Sequence, residues 1–186
     1  MKPSAAAVVD GLRRVNDAVA MAVGAVLLLT VALILMEVIL RRLGLGALGG
    51  TDEISGYVMA GATSWGMAYA LLVLAHVRID ILRQRAPGPL RALLDLLALG
   101  ALAAVAIAVS WHGWKVLSRS LANASRANTP LETPLWIPQV VWWSGWVWFA
   151  AVAVVLWAAA AVLLARGDVA AVEAAIGPQD ETEDGA

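Results

Sequence analysis

The chain has 186 residues, 61% of them hydrophobic and only 15% charged, against the roughly 45–50% apolar and roughly 25% charged make-up of soluble domains. Thirteen basic residues against fourteen acidic ones leave a formal charge of -1, so there is no basic surplus for neutralising the phosphates of a nucleic acid. With no cysteine and only two histidines, His76 and His112, the chain excludes disulfide scaffolds, thiol chemistry and zinc sites built from Cys or several His.

Charge is confined to short patches between long apolar runs, the pattern of a polytopic membrane protein. In residues 1–17, Val8, Leu12 and Val15, continued by Val19, recur at helical spacing, with Asp10, Arg13, Arg14 and Asp17 on other faces. This segment reads either as an amphipathic helix lying in the interface or as an extension of the first span. Ala18 to Met36 is then 19 residues without a charge. As a helix that run is roughly 28 Å long, close to the roughly 30 Å hydrocarbon core. It exceeds a signal-peptide core and has no small-x-small site before Arg41-Arg42, so it is expected to be retained. Asp17 after Arg13-Arg14 argues against a twin-arginine signal.

Further charge-free runs cover Ile54–Ala75, Leu96–Trp114 and Thr133–Ala165. The last contains Pro134 and Pro138, and its helix is expected to begin near Pro138, because the first turn needs no N–H there. That helix is roughly 42 Å long, which implies tilt or protrusion. The predicted fold is an all-α membrane protein with four transmembrane helices at about 18–40, 54–75, 92–114 and 138–165. An acidic, disordered tail is expected over 166–186, where Asp168, Glu173, Asp180, Glu181, Glu183 and Asp184 accompany Gly177-Pro178. Four spans put both termini on one side, with Lys2, Arg13, Arg14, Arg78, Arg83, Arg85, Arg91 and Arg166. The other side holds Arg41, Arg42, Lys115, Arg119 and Arg126, so the positive-inside rule favours cytoplasmic termini.

An ionisable group in a span is a functional candidate by default, which singles out Glu37. Arg41 lies one turn further on, however, and an i, i+4 ion pair near the headgroups satisfies the acid. Thr51-Asp52-Glu53 opens the second helix, where side-chain oxygens cap free N–H groups and negative charge suits the dipole. His76-Val77-Arg78-Ile79-Asp80 alternates polar and apolar just past the second span, where Arg78 can reach lipid phosphate and Asp80 can pair with an arginine. His76 and His112 end antiparallel spans on opposite faces, about 30 Å apart, and cannot clamp one haem. The few hydroxyls in the spans have no base beside them, so no enzyme and no cofactor is expected.

Small residues suggest helix packing, with Gly56, Ala60, Ser64 and Ala68 every four residues in the second span and Gly100, Ala104 and Ala108 in the third. Seven of nine tryptophans, among them Trp136, Trp142, Trp146 and Trp148, crowd the third-to-fourth connection and the fourth span. An aromatic belt accounts for those at the boundary. Trp146 and Trp148 lie roughly 12–15 Å into the fourth helix, where they face lipid or meet another subunit.

Glu37-Val38-Ile39-Leu40-Arg41-Arg42, Thr51-Asp52-Glu53, His76-Val77-Arg78-Ile79-Asp80 and Thr133-Pro134-Leu135-Trp136-Ile137-Pro138, in this order and spacing, resemble the small integral membrane subunit of tripartite ATP-independent periplasmic (TRAP) transporters, the DctQ-like family. The resemblance covers roughly residues 15–165, while the Gly44–Gly50 loop and the acidic tail have no clear counterpart. It implies a multi-pass protein of the cytoplasmic (inner) membrane that scaffolds a large multi-helix subunit. A periplasmic binding protein would deliver an organic acid, taken up on an ion gradient, usually sodium. On that reading Glu37, Arg41, Arg42, Asp52, Glu53, His76, Arg78, Asp80, Trp136, Trp142 and Trp146 are candidates for contact with the partner or with phospholipid. Two competing readings are a stand-alone homodimeric transporter using Glu37 as coupling acid, and a membrane anchor of another complex.

Overall fold

The computed structural model describes residues 3–74, 83 and 85–176 of the chain. Among these residues run five helices: α1 (Pro3–Arg42), α2 (Thr51–Leu72), α3 (Gly88–Ala122), α4 (Trp136–Ala165) and α5 (Val169–Ile176). There is no strand among them, only an isolated antiparallel bridge between Arg126 and Pro134 in the α3–α4 loop. The expected all-helical class is therefore found.

Helix α1 is a single rod of 40 residues, so the N-terminal segment and the first apolar run form one element. Its end is set by Gly44 at φ 69°, which lets the Leu45 N–H reach back to the Leu40 carbonyl at 3.0 Å and satisfy an orphan acceptor. Helix α3 begins at Gly88 and ends at Ala122, beyond the expected 92–114 on both sides, because nothing between Trp114 and Ala122 breaks a helix. Its C-terminus closes by the same backbone motif, with the Ser125 N–H on the Ser120 carbonyl at 3.0 Å. Helix α4 starts two residues before Pro138, which still places that proline in the first turn.

Past α4 the chain departs from the predicted tail. Gly167 at φ 76° turns the backbone, the Asp168 carboxylate accepts the Ala171 N–H at 3.1 Å as an N-cap, and α5 follows. Val172 and Ile176 are buried in the core, so residues 169–176 fold back instead of remaining a solvated tail. The sequence pattern was there, with apolar residues four apart, but the acids around it masked the signal. Residues 177–186 lie outside the described residues, as do His76, Arg78 and Asp80.

Among the described residues three helices are long and apolar enough to cross a membrane: α1 from Gly11 to Arg42, α3 and α4. Helix α2 is 22 residues long and falls short of that measure, because even its charge-free part from Ile54 on is diluted by glycines, hydroxyls and the polar-edged rings of Tyr57, Trp65 and Tyr69.

The four long helices form a layer in the order α1, α2, α4, α3, with α5 against α3 and α4. Helix α1 meets α4 only briefly, and among the described residues α3 approaches neither α1 nor α2. An apolar groove of about 490 Å³ runs between α1 and α4 over Val58, Gly61 and Trp65 of α2. Only 6% of the most apolar stretch of α1 is buried within the chain, against 39% for α4, so α4 is the central helix and α1 the exposed flank.

Candidate functional site

Within hydrocarbon, packing between helices relies on close backbone approach and on hydrogen bonds, since lipid tails are as apolar as Leu side chains. Both devices converge on α4. A Cβ on Gly145 would collide with Ser64 of α2, whose Cβ and backbone carbonyl carbon would lie 2.8 and 2.9 Å away. Gly113 of α3 similarly receives the rings of Trp142 and Trp143. Three indole N–H groups then tie the helices together. Trp65 of α2 donates to the Val141 carbonyl at 3.0 Å, and Trp143 donates to the Ser110 carbonyl of α3 at 2.9 Å. Trp148 donates to Asn16 Oδ1 of α1 at 3.2 Å.

Asn16 is 1% exposed, and its amide Nδ2 donates to the Leu12 carbonyl at 2.8 Å, so the Trp148 bond meets its remaining acceptor need. Trp148 thus meets another helix of its own chain, and Trp146 stacks edge-on against Trp142 and Phe149. Both residues, half-buried, also make contacts inside the chain. The missed partner was Asn16, 132 residues away, for which sequence spacing holds no signal.

At the α1–α2 end a second polar group gathers. Glu37 is buried and ion-paired with Arg41, and the Thr51 hydroxyl at the start of α2 faces the same carboxylate. The expected i, i+4 pair is therefore present. Arg41 and Arg42 are exposed. Helix α2 has no side-chain cap, contrary to the expectation for Thr51-Asp52-Glu53, because Gly50 occupies the cap position at φ 77°. Asp52 is exposed in the first turn, where it still suits the dipole.

Glu53 is turned towards the α3–α4 loop instead. The Thr129 hydroxyl, the Tyr57 hydroxyl, the Thr133 hydroxyl and the Leu131 N–H all face its carboxylate and hold its pKa down to about 2 against the cost of desolvation. The Tyr57 bond is the close one, at 2.6 Å to Oε1, whereas Oε2 is shielded and takes no close hydrogen bond. Leu131 also covers Gly50 so tightly that any Cβ there would strike it. Glu53 is in effect the anchor of residues 125–135 on α2.

A third polar group closes the opposite end. Asp95, 4% exposed on α3, accepts from Arg83 Nε at 2.9 and 3.1 Å. Arg91 donates to the Ala86 carbonyl at 3.1 Å and lies 4.0 Å from Glu173 of α5. Asp95 sits one residue before the charge-free run, so counting apolar residues missed a buried acid.

Of the predicted packing residues, Ser64 and Ala68 are buried and Ala60 is half-buried, whereas Gly56, Ala104 and Ala108 lie on the surface of the chain. Gly100 receives Trp157, whose Nε1 would be 2.8 Å from a Cβ. A strict four-residue stripe drifts about 40° per step around a helix of 3.6 residues per turn. The contacts of α2 instead alternate threes and fours through Gly61, Ser64, Ala68, Leu71 and Leu72, which stay on one face. Trp136 is exposed and Trp142 half-buried.

No acid buried in this set stands without a cation or hydroxyl partner. What the geometry supplies is rigidity around α4, with α1 left as an apolar flank. Residues 30–167 match a family described as tripartite ATP-independent periplasmic transporters, DctQ component. No curated protein and no solved structure matches the chain.

Proposed function

The chain belongs to the DctQ component family of TRAP transporters, and we propose that within such a transporter its task is to scaffold the large membrane subunit. The family is the small permease component of a transporter that works with a large membrane subunit and a periplasmic binding protein. Membrane-spanning helices and this family fit a protein of the inner membrane.

The observation that carries the scaffold reading is the open layer of helices braced on α4 and bare along α1. A braced layer adds a wide, stiff wall to a neighbour, against which a mobile domain can work. Both buried acids, Glu37 and Asp95, are held by arginines of the chain itself, which argues against a coupling role for either. The transport work then belongs to the large subunit: uptake of an organic acid driven by an ion gradient, with sodium as the coupling ion.

In this reading α2 is the fourth crossing. It runs antiparallel to α1, with Thr51 beside Glu37 at one end and Tyr69 to Val73 beside Arg13 to Asp17 at the other. At about 1.5 Å per residue its 22 residues reach roughly 33 Å, enough to span. Four crossings place residues 18–165 in the membrane and both termini in the cytoplasm. Glu37, Arg41, Arg42, Asp52 and the outer tryptophans then border the headgroups, and Arg42, exposed beside the Glu37–Arg41 pair, is open to a partner or phospholipid.

The test is to tag the chain in its native host, solubilise gently, and identify what co-purifies in near-equal amount. One large polytopic protein is the expected result. Recovery of the chain alone as a dimer would overturn the scaffold reading and make Glu37 the residue to mutate first.

A further inference from the structure

Between the N-terminal half of α1 and the end of α2 lies a recess of about 330 Å³, lined by Arg13, Asn16, Asp17, Tyr69, Leu72 and Val73. It combines one cation, one anion, a phenol and an apolar floor, whereas the larger groove further along the same helices is apolar throughout. Among the described residues no ion pair or side-chain hydrogen bond engages Arg13, Asp17 or Tyr69. Asn16 is committed to Leu12 and Trp148, so it shapes the recess without offering a bond to a ligand.

The height of the recess narrows its occupant. Arg13 and Glu37 are 24 positions apart on one helix, roughly 36 Å at about 1.5 Å per residue. With Glu37 to Arg42 at one headgroup boundary, Arg13 reaches the other, where the surrounding molecules are lipid headgroups. Arg13 and Asp17 are one turn apart on the same face, with Cβ atoms about 5–6 Å from each other. A guanidinium fits a phosphate with paired N–H donors, and a carboxylate one turn away fits an ammonium carrying N–H bonds. Tyr69 adds a hydroxyl donor beside the phosphate position. A quaternary ammonium has no N–H to give Asp17, and a single phenol is no aromatic cage for it. A purely anionic headgroup would leave Asp17 facing like charge.

We propose that this recess binds the headgroup of a zwitterionic phospholipid bearing a primary amine, with its phosphate on Arg13 and Tyr69 and its ammonium on Asp17. The assignment rests on the membrane-spanning reading of α1 and α2 given above. It joins the seam between α1 and α2 to the leaflet on the side of the chain termini, the end of the layer that the Glu37 and Glu53 groups do not hold.

The test reconstitutes the full-length chain, with whatever subunit it retains, in bilayers of equal phosphatidylethanolamine, phosphatidylcholine and phosphatidylglycerol. Lipid that stays bound is counted by native mass spectrometry. The intact protein should enrich phosphatidylethanolamine over each of the others by at least about fivefold, the discrimination expected of one charge-assisted hydrogen bond. Asp17→Asn should bring phosphatidylethanolamine and phosphatidylcholine level, while Arg13→Gln should lower retention of all three. Both side chains are exposed, so unchanged helical content in the two variants checks that the fold is kept. Bound lipid that mirrors the bilayer, a preference for phosphatidylglycerol, or the same lipid profile in both variants would overturn the proposal. The same preparations report separately on the scaffold reading. A co-purifying large subunit with unselective lipid sinks the recess alone, and selective lipid on a solitary chain sinks the scaffold alone.

Discussion

Replacing Gly145 by Ala probes the tightest glycine contact between two helices among the described residues. The added Cβ would lie 2.8 Å from Ser64 Cβ and 2.9 Å from its carbonyl carbon, where ordinary carbon contacts sit at about 3.5–4.0 Å. Helices α2 and α4 must then part by roughly 1 Å, and overpacking of this kind costs about 1–3 kcal/mol. Better helix propensity returns at most about 1 kcal/mol. Taking the middle of the overpacking range, the net loss is about 1 kcal/mol, which lowers Tm by roughly 2–4 °C in a chain of this length. A fluorescence melt in detergent reads the change, because the indoles of Trp65 and Trp143 sit on either side of the crossing. Adding Ser64→Gly removes the side-chain collision but leaves the carbonyl carbon, so part of the loss should return. Gly56→Ala is the control, since nothing lies within 4 Å of its Cβ position, and it should leave Tm equal or higher. A Gly145→Ala protein as stable as its parent, or a Gly56→Ala protein equally weakened, would refute the argument.

Trp148→Phe removes the only hydrogen-bond donor found on Asn16 Oδ1 and strands a buried acceptor, at a cost of about 1–3 kcal/mol; Asn16→Leu in that background should recover part of the melting temperature. The Glu53 carboxyl is depressed from an unfolded value of about 4.3 to about 2, so its contribution is full above roughly pH 4.5 and is lost as pH falls through 2. Pepsin nicking of residues 125–135, scaled to an unstructured peptide, should therefore rise from pH 4 to pH 2, whereas Glu53→Gln should be fast at both; a flat parental profile would contradict the anchoring role. Val172→Asp places a charge in the contact of α5 with the core and should undock that helix. Trypsin should then cut after Arg166 many times faster, and an unchanged rate would mean that α5 contributes no fastening.

What could be read from the sequence was local. Apolar runs announced the long helices, although the start of α1 lies fifteen residues before its apolar run and the end of α3 eight residues beyond its own, because ends depend on backbone motifs such as those at Gly44 and Ser125 rather than on hydropathy. The Glu37–Arg41 pair was legible because its partners are one turn apart. Helix α5 was hidden because eight residues beside acids give too short a periodic signal. The remaining contacts pair residues far apart: Arg83 with Asp95 across a turn, Glu53 with a loop 76 to 80 positions later, Asn16 with Trp148.

The tryptophans illustrate why composition alone misassigns such contacts. Nine indoles in 186 residues invite a belt or an interface, because those are the places where a ring that is apolar on its faces and polar at one edge is satisfied. A helix layer offers a third place. In hydrocarbon an indole N–H has no water to bond, so it seeks a carbonyl or amide on a neighbouring helix, and the ring meanwhile fills the gap left by a glycine such as Gly113 or Gly100. Trp65, Trp143 and Trp148 make such bonds around α4, Trp114 packs against Trp143 with ring centroids 5.2 Å apart, and Trp111 and Trp136 stay exposed. In the proposed scaffold the hydrogen-bonded indoles are what stiffens the wall. The proposed scaffold role needs that stiffness, whereas a subunit that carried cargo would have to spend buried polar groups on a site.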